Sequence, residues 1–178
     1  MDLGLTGKVA VITGGSEGIG KAAGASLARE GARVIICARH RDVLESAADD
    51  IRRSTGGEVL PVQADVTDPR QIEDLFARTV EKYGRIDILV NNAGTSAARS
   101  FGDATDDYWQ GDLDLKLFGA IRCSRLAIPH MLKAGGGRII NVTAVGGKAP
   151  GAASVPTSVS RAAGIALTKA MSQEYAPD

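Results

Sequence analysis

Three glycines in the segment TGGSEGIG, residues 13–20, do not match the common G-x-G-x-x-G spacing, but they could serve the same purpose in a phosphate-binding turn. Gly14 allows a tight turn, Gly18 lets the backbone approach a pyrophosphate, and Gly20 lets the next helix pack closely on the preceding strand. The free N–H groups and the positive dipole end of that helix would face the phosphates. A tight turn without a ligand is the alternative, but the position directly after a predicted first strand favours a dinucleotide site.

The residues that follow the second predicted strand indicate which dinucleotide would bind. A site for NAD places an acid about 20 residues beyond the glycines, where it holds the ribose 2′-hydroxyl. This segment is Cys37-Ala38-Arg39-His40-Arg41 and contains no acid. A guanidinium suits a 2′-phosphate, so we predict NADP(H) rather than NAD(H). The alternative is that these arginines merely begin a solvated helix.

The elements that must position these residues follow from the alternation of short apolar runs and longer segments with helical periodicity. Predicted strands cover residues 8–13, 33–37, 58–66, 86–92 and 137–144. Predicted helices cover residues 18–30, 41–54, 68–83, 105–133 (with Gly111 and Gly119 as candidate break points) and 157–175. This order predicts an α/β fold of the Rossmann type, a doubly wound parallel sheet with helices on both faces. Ligands bind such sheets at the carboxyl ends of the strands.

Length and charge narrow the functional classes. The 178 residues fit one domain, residues 1–178. Lysine plus arginine and aspartate plus glutamate each number 21, so no basic surface predicts nucleic acid or an anionic membrane as partner. No run reaches the ~20 apolar residues of a membrane span, and the first residues do not resemble a secretion signal. We therefore expect a cytoplasmic protein.

The cysteines and histidines do not predict a metal site. Cys37 lies in an apolar run and Cys123 in a helical pattern, so two reduced thiols in or near the core are expected. His40 and His130 are far apart in the sequence.

Several motifs together resemble the classical short-chain dehydrogenase/reductase family, over essentially the whole chain. TGGSEGIG is similar to the family's T-G-x-x-x-G-x-G loop, NNAG at 91–94 to its strand-four motif, and Asp65-Val66 to its adenine-contacting dipeptide. GRIINVTA at 137–144, PHM at 129–131 and LTKAMSQEYAP at 167–177 also fall where family patterns do. The subtype most resembled is the 3-oxoacyl-carrier-protein reductase.

The resemblance implies a set of cofactor-binding residues. They are Gly14, Ser16, Gly18, Ile19, Gly20, Arg39, Asp65, Val66, Asn91, Ala93, Gly94 and Arg161. The NNAG asparagines have a structural alternative, in which they tie strand four to its neighbours.

The resemblance fails at the four positions of the family's catalytic residues, which are Asn, Ser, Tyr and Lys. In that chemistry the tyrosine exchanges a proton while hydride moves between a nicotinamide and a carbonyl or alcohol carbon. The Tyr-x-x-x-Lys motif falls on TSVSR, which places Thr157 and Arg161 at those positions. Ala144 stands at the serine position, and Lys116 stands at the asparagine position.

These substitutions remove the usual proton chemistry. An aliphatic hydroxyl such as that of Thr157 is far less acidic than a phenol, and Ala144 offers no hydrogen bond. Arg161 is always charged, so it could hold ribose hydroxyls but could not relay a proton. Lys116 is the one new group that could act as an acid, if it were partly desolvated.

The favoured alternative for Lys116 is a solvated lysine or a salt bridge to Asp112, four residues earlier. Tyr108 and Asp114 are remoter candidate acids with similar structural alternatives.

Three functions therefore compete. The first is an NADP(H)-dependent oxidoreductase acting on a carbonyl or alcohol, with an unorthodox acid. The second is a non-catalytic NADP(H)-binding sensor or structural subunit. The third, an interaction module without a cofactor, fits poorly with the intact glycine loop.

The resemblance also implies features beyond the site. In the family, another strand, a cofactor loop and a substrate-covering lid follow the helix that carries TSVSR, so we expect C-terminal strands to be missing and an exposed sheet edge that needs covering. A homo-oligomer through the long fourth and fifth predicted helices is expected by the same resemblance, although their apolar faces could be ordinary core.

Overall fold

A computed structural model describes residues 2–176 of the chain. Its strands are β1 Val9–Thr13, β2 Arg33–Ala38, β3 Val59–Gln63, β4 Ile88–Asn91, β5 Ala98–Arg99, β6 Arg138–Asn141 and β7 Val155–Pro156. Its α-helices are α1 Gly18–Arg29, α2 Arg41–Thr55, α3 Pro69–Tyr83, α4 Asp106–Leu113, α5 Gly119–Lys133 and α6 Thr157–Tyr175. Pro177, the last residue of the LTKAMSQEYAP match, lies outside the described residues.

The main sheet is parallel and has the strand order β3-β2-β1-β4-β6. Val11 of β1 pairs with Ile35 of β2 on one side and with Leu89 of β4 on the other. The chain thus crosses from β3 at one edge back to β4 beside β1, which creates a switch in strand order next to the end of β1. The predicted doubly wound α/β fold is confirmed, and its switch point is where ligands bind in such sheets.

Helices cover both faces of the sheet. Successive residues of a strand point to opposite faces, so each strand contributes to two separate hydrophobic cores. Val9 and Val11 belong to a core with residues of α3 and α5, whereas Ala10 and Ile12 belong to a second core with residues of α1 and α2. Cys37 and Cys123 are free thiols buried in the first core, as predicted. Burial raises the pKa of Cys37 to about 12, which keeps that thiol protonated.

Two helices have caps at the residues that the sequence indicates. The Asp68 side chain accepts a hydrogen bond of 2.9 Å from the Arg70 N–H and caps α3, with Pro69 in the first turn. Helix α2 ends at Thr55, and Gly56 caps it with φ +70°.

The structure departs from the predicted elements in three ways. Strands β3, β4 and β6 are shorter than predicted. The long helical region does not break at Gly111; instead, a π-helical turn at Asp114–Phe118 joins α4 to α5. A short antiparallel pair, β5 with β7, was not predicted and links the segment after β4 to the start of α6.

Strand β6 forms one edge of the main sheet within residues 2–176, and Ile140 on it is 51% exposed. The expected exposed edge is therefore present in this part of the chain.

Candidate functional site

A cleft of about 480 Å³ opens at the carboxyl ends of the central strands. It lies beside the glycine turn, at the switch in strand order. The predicted cofactor residues that line it are Gly14, Ser16, Gly18, Ile19, Arg39, Asp65, Val66, Ala93, Gly94 and Arg161. Gly20 and Asn91 do not line it.

Gly20 acts in packing, as its place in the motif predicts. A Cβ on Gly20 would lie 2.2 Å from the Gly14 carbonyl oxygen, so no larger residue fits without moving the turn. Asn92 also binds this turn: its Nδ2 donates hydrogen bonds to the carbonyls of Thr13 (3.0 Å) and Gly14 (2.9 Å). The turn is thereby fixed to β4.

Asn91 lies behind the cleft in a polar network between strands and helices. Its Nδ2 donates to Asn141 Oδ1 (2.8 Å) and Ser124 Oγ (3.2 Å). Asn141 Nδ2 in turn donates to Thr168 Oγ1 at 2.8 Å, which links β4, β6 and α6. This network matches the structural alternative stated for the NNAG asparagines.

Two side chains of the segment after β2 belong to the wall of the cleft. Arg39 and His40 are exposed and line the cleft directly before α2. Gln63 Nε2 donates to the Arg39 carbonyl at 2.9 Å and fixes this corner to β3. The sequence prediction did not assign His40 or Gln63 to the site: it used the segment of His40 only for its lack of an acid, and Gln63 belongs to no motif that it used.

Three of the four substituted catalytic positions meet beside the cleft. Lys116 Nζ donates to the Asp112 carboxylate and to Thr157 Oγ1, the latter at 3.0 Å. The backbone N–H of Ala97 also donates to Thr157 Oγ1, at 2.8 Å. The side chains of Lys116 and Asp112 are each 1% exposed, so the salt bridge favoured for Lys116 is present and buried.

The charge balance of this cluster shifts the pKa values of its cations. Burial lowers the pKa of Lys116, Asp112 opposes that change, and the positive charge of Arg161 adds to it; the net direction is downward. Burial also lowers the pKa of Arg161, with Asp112 in opposition. The guanidinium nevertheless stays charged at any ordinary pH.

Arg161 forms part of the cleft wall. Its Nη1 donates to the Val142 carbonyl at 2.7 Å, and a Cβ on Gly94 would lie 2.7 Å from its Nη2. Glycine at position 94 therefore makes room for the guanidinium. Arg161 also lines a second cavity, of about 350 Å³, between α5 and α6.

Ala144 and the two remoter candidates play no part in the Lys116 cluster. Ala144 is exposed, and its methyl group cannot hydrogen-bond. The Tyr108 ring lies under the Arg99 guanidinium, with 3.8 Å from Cζ to the ring centroid. Asp114 accepts a hydrogen bond of 3.0 Å from Gln110 Nε2.

Comparison with known proteins identifies the family of this chain. The model of the family described as short chain dehydrogenase matches residues 8–178. The chain belongs to that family. A 3-oxoacyl-[acyl-carrier-protein] reductase of Synechocystis sp. is 36% identical over 172 residues, which are 97% of this chain and 70% of the relative. A putative ketoacyl reductase of Streptomyces coelicolor is 35% identical over 95% of this chain and 65% of its own length.

A solved structure has the same fold as this chain. L-sorbose reductase from Gluconobacter frateurii, complexed with NADPH and L-sorbose, has a TM-score of 0.95 and 37% identity. This match covers 98% of the present chain and 66% of that reductase. The chain thus spans about two thirds of the length of the relatives named here.

Residues 2–176 contain neither a candidate membrane-spanning helix nor a candidate metal site. None of their helices combines the length and the apolar character that crossing a bilayer requires. No group of three or more histidine, cysteine, aspartate or glutamate side chains there is placed to hold a metal ion.

Proposed function

We propose that the chain binds NADP(H) in the 480 Å³ cleft and transfers hydride between the nicotinamide and a carbonyl or alcohol carbon. The observation that carries this proposal is the cleft, which is lined by both the glycine turn and Arg39. Membership of the short-chain dehydrogenase family supports it, as does the likeness to a reductase whose structure contains NADPH.

The residues present fit a dinucleotide phosphate at the glycine turn. Gly18 has φ +53°, and a Cβ placed on it would meet no atom within 4 Å, so the backbone is open to the cleft. Helix α1 begins at the same residue, and its first N–H groups have no partners within the helix. These donors and the helix dipole suit a pyrophosphate.

The residues also fit the phosphate that distinguishes NADP from NAD. Arg39 follows β2 directly, and neither His40 nor Arg41 brings a carboxylate that would accept a ribose 2′-hydroxyl. The exposed guanidinium of Arg39 can donate two parallel hydrogen bonds to a phosphate.

Other residues of the cleft would position the nicotinamide half of the cofactor. A bound reduced nicotinamide would supply the hydride. Arg161, anchored by the Val142 carbonyl, would donate to the ribose hydroxyls. Gly94 and Ala93 leave space for the cofactor along the end of β4.

A second candidate function is NADP(H) binding without turnover, as a sensor or structural subunit. Ala144 cannot orient a substrate oxygen, and Lys116 is held by Asp112 away from solvent, which favours this candidate.

An assay that follows both binding and turnover separates the two candidates. NADPH oxidation would be measured at 340 nm with ethyl acetoacetate, 9,10-phenanthrenequinone and L-sorbose, while NADPH fluorescence reports binding. The oxidoreductase proposal expects oxidation with at least one carbonyl. Saturable binding without oxidation would support the second candidate, and absence of binding would contradict both.

We propose further that the protein is cytoplasmic and forms a homo-oligomer through the helical region α4–α5 and helix α6. Leu132 and Val159, which are 45% exposed, are apolar residues on α5 and α6 that such an interface would cover. Light scattering that gives the mass of a single chain would contradict the oligomer.

A further inference from the structure

We propose that the cavity of about 350 Å³ between α5 and α6 binds a short-chain hydroxycarboxylate, a small acid that carries both a hydroxyl and a carboxylate. This site is additional to the cofactor cleft, and the proposal does not depend on the binding of NADP(H). Asn91 and Arg161 both line the cavity. Each has one buried polar atom, Oδ1 and Nε respectively, that has no hydrogen-bond partner within residues 2–176. A ligand that pairs both atoms must donate one hydrogen bond and accept another.

Small residues on the two helices create the space. On α6, Ser160, Gly164 and Thr168 line the cavity at four-residue spacing, so they share one face of the helix. Gly119 and Ala120, at the start of α5, line it too. A Cβ on Gly164 would meet no atom within 4 Å, so the cavity is open at this position. The volume of about 350 Å³ is at the small end of the range for ligand pockets.

Hydrogen-bond directions leave Asn91 Oδ1 as an acceptor without a donor. The Thr168 hydroxyl donates to the Gly164 carbonyl at 2.7 Å, so its oxygen accepts the bond of 2.8 Å from Asn141 Nδ2. Asn141 therefore presents its Oδ1 to Asn91 Nδ2, at 2.8 Å. This chain of donors fixes the orientation of the Asn91 amide, although the residue is only 7% exposed and its oxygen is unpaired. A buried acceptor without a donor is costly, which favours a ligand that donates there.

Arg161 supplies the complementary donor. Its Nη1 donates to the Val142 carbonyl at 2.7 Å, whereas its buried Nε donates to no atom of the described residues. Because the guanidinium is always charged, a carboxylate oxygen is a strong acceptor for this free N–H. Arg161 lines both the cavity and the cofactor cleft, so it belongs to the wall that they share.

The charge of the lining favours an anion. Lys116, Arg161 and Lys169 line the cavity, and no aspartate or glutamate of residues 2–176 does. The Asp112 carboxylate is buried beside Lys116 and offsets one of these positive charges. Lys169 is exposed, so it belongs to the part of the lining that meets solvent. An anion would therefore be attracted both at the opening and inside.

These groups together define the class of ligand. The carboxylate would accept from Arg161 Nε, and the hydroxyl would donate to Asn91 Oδ1. The apolar side chains of Val66, Leu115 and Ile165 also line the cavity and suit a short hydrocarbon part. A simple alcohol lacks the charge that the lining favours, and a simple carboxylate lacks the donor that Asn91 needs.

Tertiary hydroxy acids are suitable probes because they cannot act as hydride donors. The acids 2-hydroxyisobutyrate and 3-hydroxy-3-methylbutyrate have no hydrogen on the carbinol carbon, and they differ in the spacing of hydroxyl and carboxylate. Their methyl analogues, pivalate and 3,3-dimethylbutyrate, lack the hydroxyl. The diols 2-methylpropane-1,2-diol and 3-methylbutane-1,3-diol lack the carboxylate.

Binding would be followed on the unmodified full chain, without cofactor, through the ¹H–¹⁵N signals of Arg161 Nε–H and of the Asn91 side-chain amide. Arg161→Lys assigns the first signal by its disappearance. At least one of the two hydroxy acids should bind saturably and move the Arg161 Nε–H proton signal downfield. Its methyl analogue and its diol should each bind at least about tenfold more weakly, because one leaves Asn91 Oδ1 unpaired and the other gives the guanidinium no charged acceptor.

A variant that fills the cavity tests the location of the ligand. Gly164→Leu adds a side chain to the open position without removing a polar group, so it should abolish binding of the hydroxy acid and leave NADPH affinity unchanged. Ala166→Leu is the matched control, because position 166 is exposed on the same helix and does not line the cavity. Circular dichroism checks that both variants fold. Binding of the hydroxy acid to the unmodified chain should persist at a saturating concentration of NADPH.

Several results would overturn the proposal. Absence of binding by both hydroxy acids at millimolar concentrations would show that the cavity holds water only. Equal affinities of a hydroxy acid and its methyl analogue would show that Asn91 recognises no hydroxyl. Displacement by NADPH, or unchanged binding in Gly164→Leu, would place the ligand outside the cavity. A failure of NADPH to bind would leave the titrations without cofactor unaffected, and it would contradict only the proposed function.

Discussion

The Lys116 ammonium lies 3.0 Å from the Thr157 hydroxyl oxygen, although 41 positions separate the two residues in the chain. The π-helical turn before α5 places the lysine, and the first residue of α6 places the threonine. The same ammonium binds the Asp112 carboxylate, and both side chains are buried. A buried ion pair therefore helps to join these two helical segments beside the cleft.

The buried pair predicts an unusual order of stabilities among its variants. Lys116→Met leaves the Asp112 carboxylate buried and uncompensated, so it should lower the free energy of unfolding by about 3–5 kcal/mol. Adding Asp112→Leu removes the stranded charge and should recover most of that loss. Urea unfolding followed by circular dichroism checks both values. A double variant that is no more stable than Lys116→Met alone would contradict this explanation.

Two glycine-to-alanine changes should act in opposite directions. In Gly20→Ala the new methyl would lie 2.2 Å from the Gly14 carbonyl oxygen, and the resulting backbone shift should destabilise the fold by about 1–3 kcal/mol. In Gly164→Ala, within α6, the methyl meets nothing within 4 Å, so the higher helix propensity should stabilise by about 0.5–1 kcal/mol. Thermal unfolding of both variants tests this prediction. If both variants were destabilised, or both stabilised, the packing described for one of these glycines would be wrong.

Asp87 should contribute an acid-sensitive part of the stability. Burial raises its pKa, but hydrogen bonds from Arg85 (2.8 Å), the Val9 N–H (2.9 Å) and Lys8 (3.3 Å) together hold the pKa below the ordinary 3.8. Because the folded-state pKa is depressed, this contribution is complete above the unfolded-state pKa of about 3.9 and is lost as pH falls through the folded value.

Asp87→Asn tests this contribution. It should lower the free energy of unfolding at pH 7 by about 1–3 kcal/mol and bring the variant close to the unmodified protein near pH 2. Urea midpoints measured from pH 7 to pH 2 provide the comparison. A difference between the two proteins that stays constant over this range would rule out the assigned sign.

Arg39 should set the choice of cofactor. Arg39→Asp replaces the donor for a 2′-phosphate with an acceptor for a 2′-hydroxyl, so NADPH affinity should fall by at least about tenfold while NADH affinity rises or holds. Arg29→Asp, at the last residue of α1, is a control for the same change of charge away from the cleft. Equal losses of affinity for NADPH and NADH in Arg39→Asp, or the same change in affinity in Arg29→Asp, would show that Arg39 does not bind the 2′-phosphate.

The fold and the cleft were predictable because their signals are local. The apolar run of β1, the glycine turn and the start of α1 are adjacent in sequence, and parallel β-α-β units bring later strand ends to the same edge. The Asp68 cap and the role of Gly20 follow from single positions in the same way.

The Lys116 cluster was only partly predictable. The spacing of Asp112 and Lys116 suggests a helical salt bridge, but that pattern is typical of exposed surfaces and gives no sign of burial. The contact with Thr157 depends on the winding at 114–118 and on the β5–β7 pair, which carries Ala97 close to α6. Both depend on tertiary packing, which no short stretch of sequence encodes.

Titration of NADPH into the unmodified protein, followed by the fluorescence of the reduced nicotinamide, tests the central claim most directly. We expect saturable binding at one site per chain, with NADH at least about tenfold weaker because it lacks the phosphate that Arg39 would bind. A linear signal with no saturation, or equal affinities for NADPH and NADH, would contradict the account.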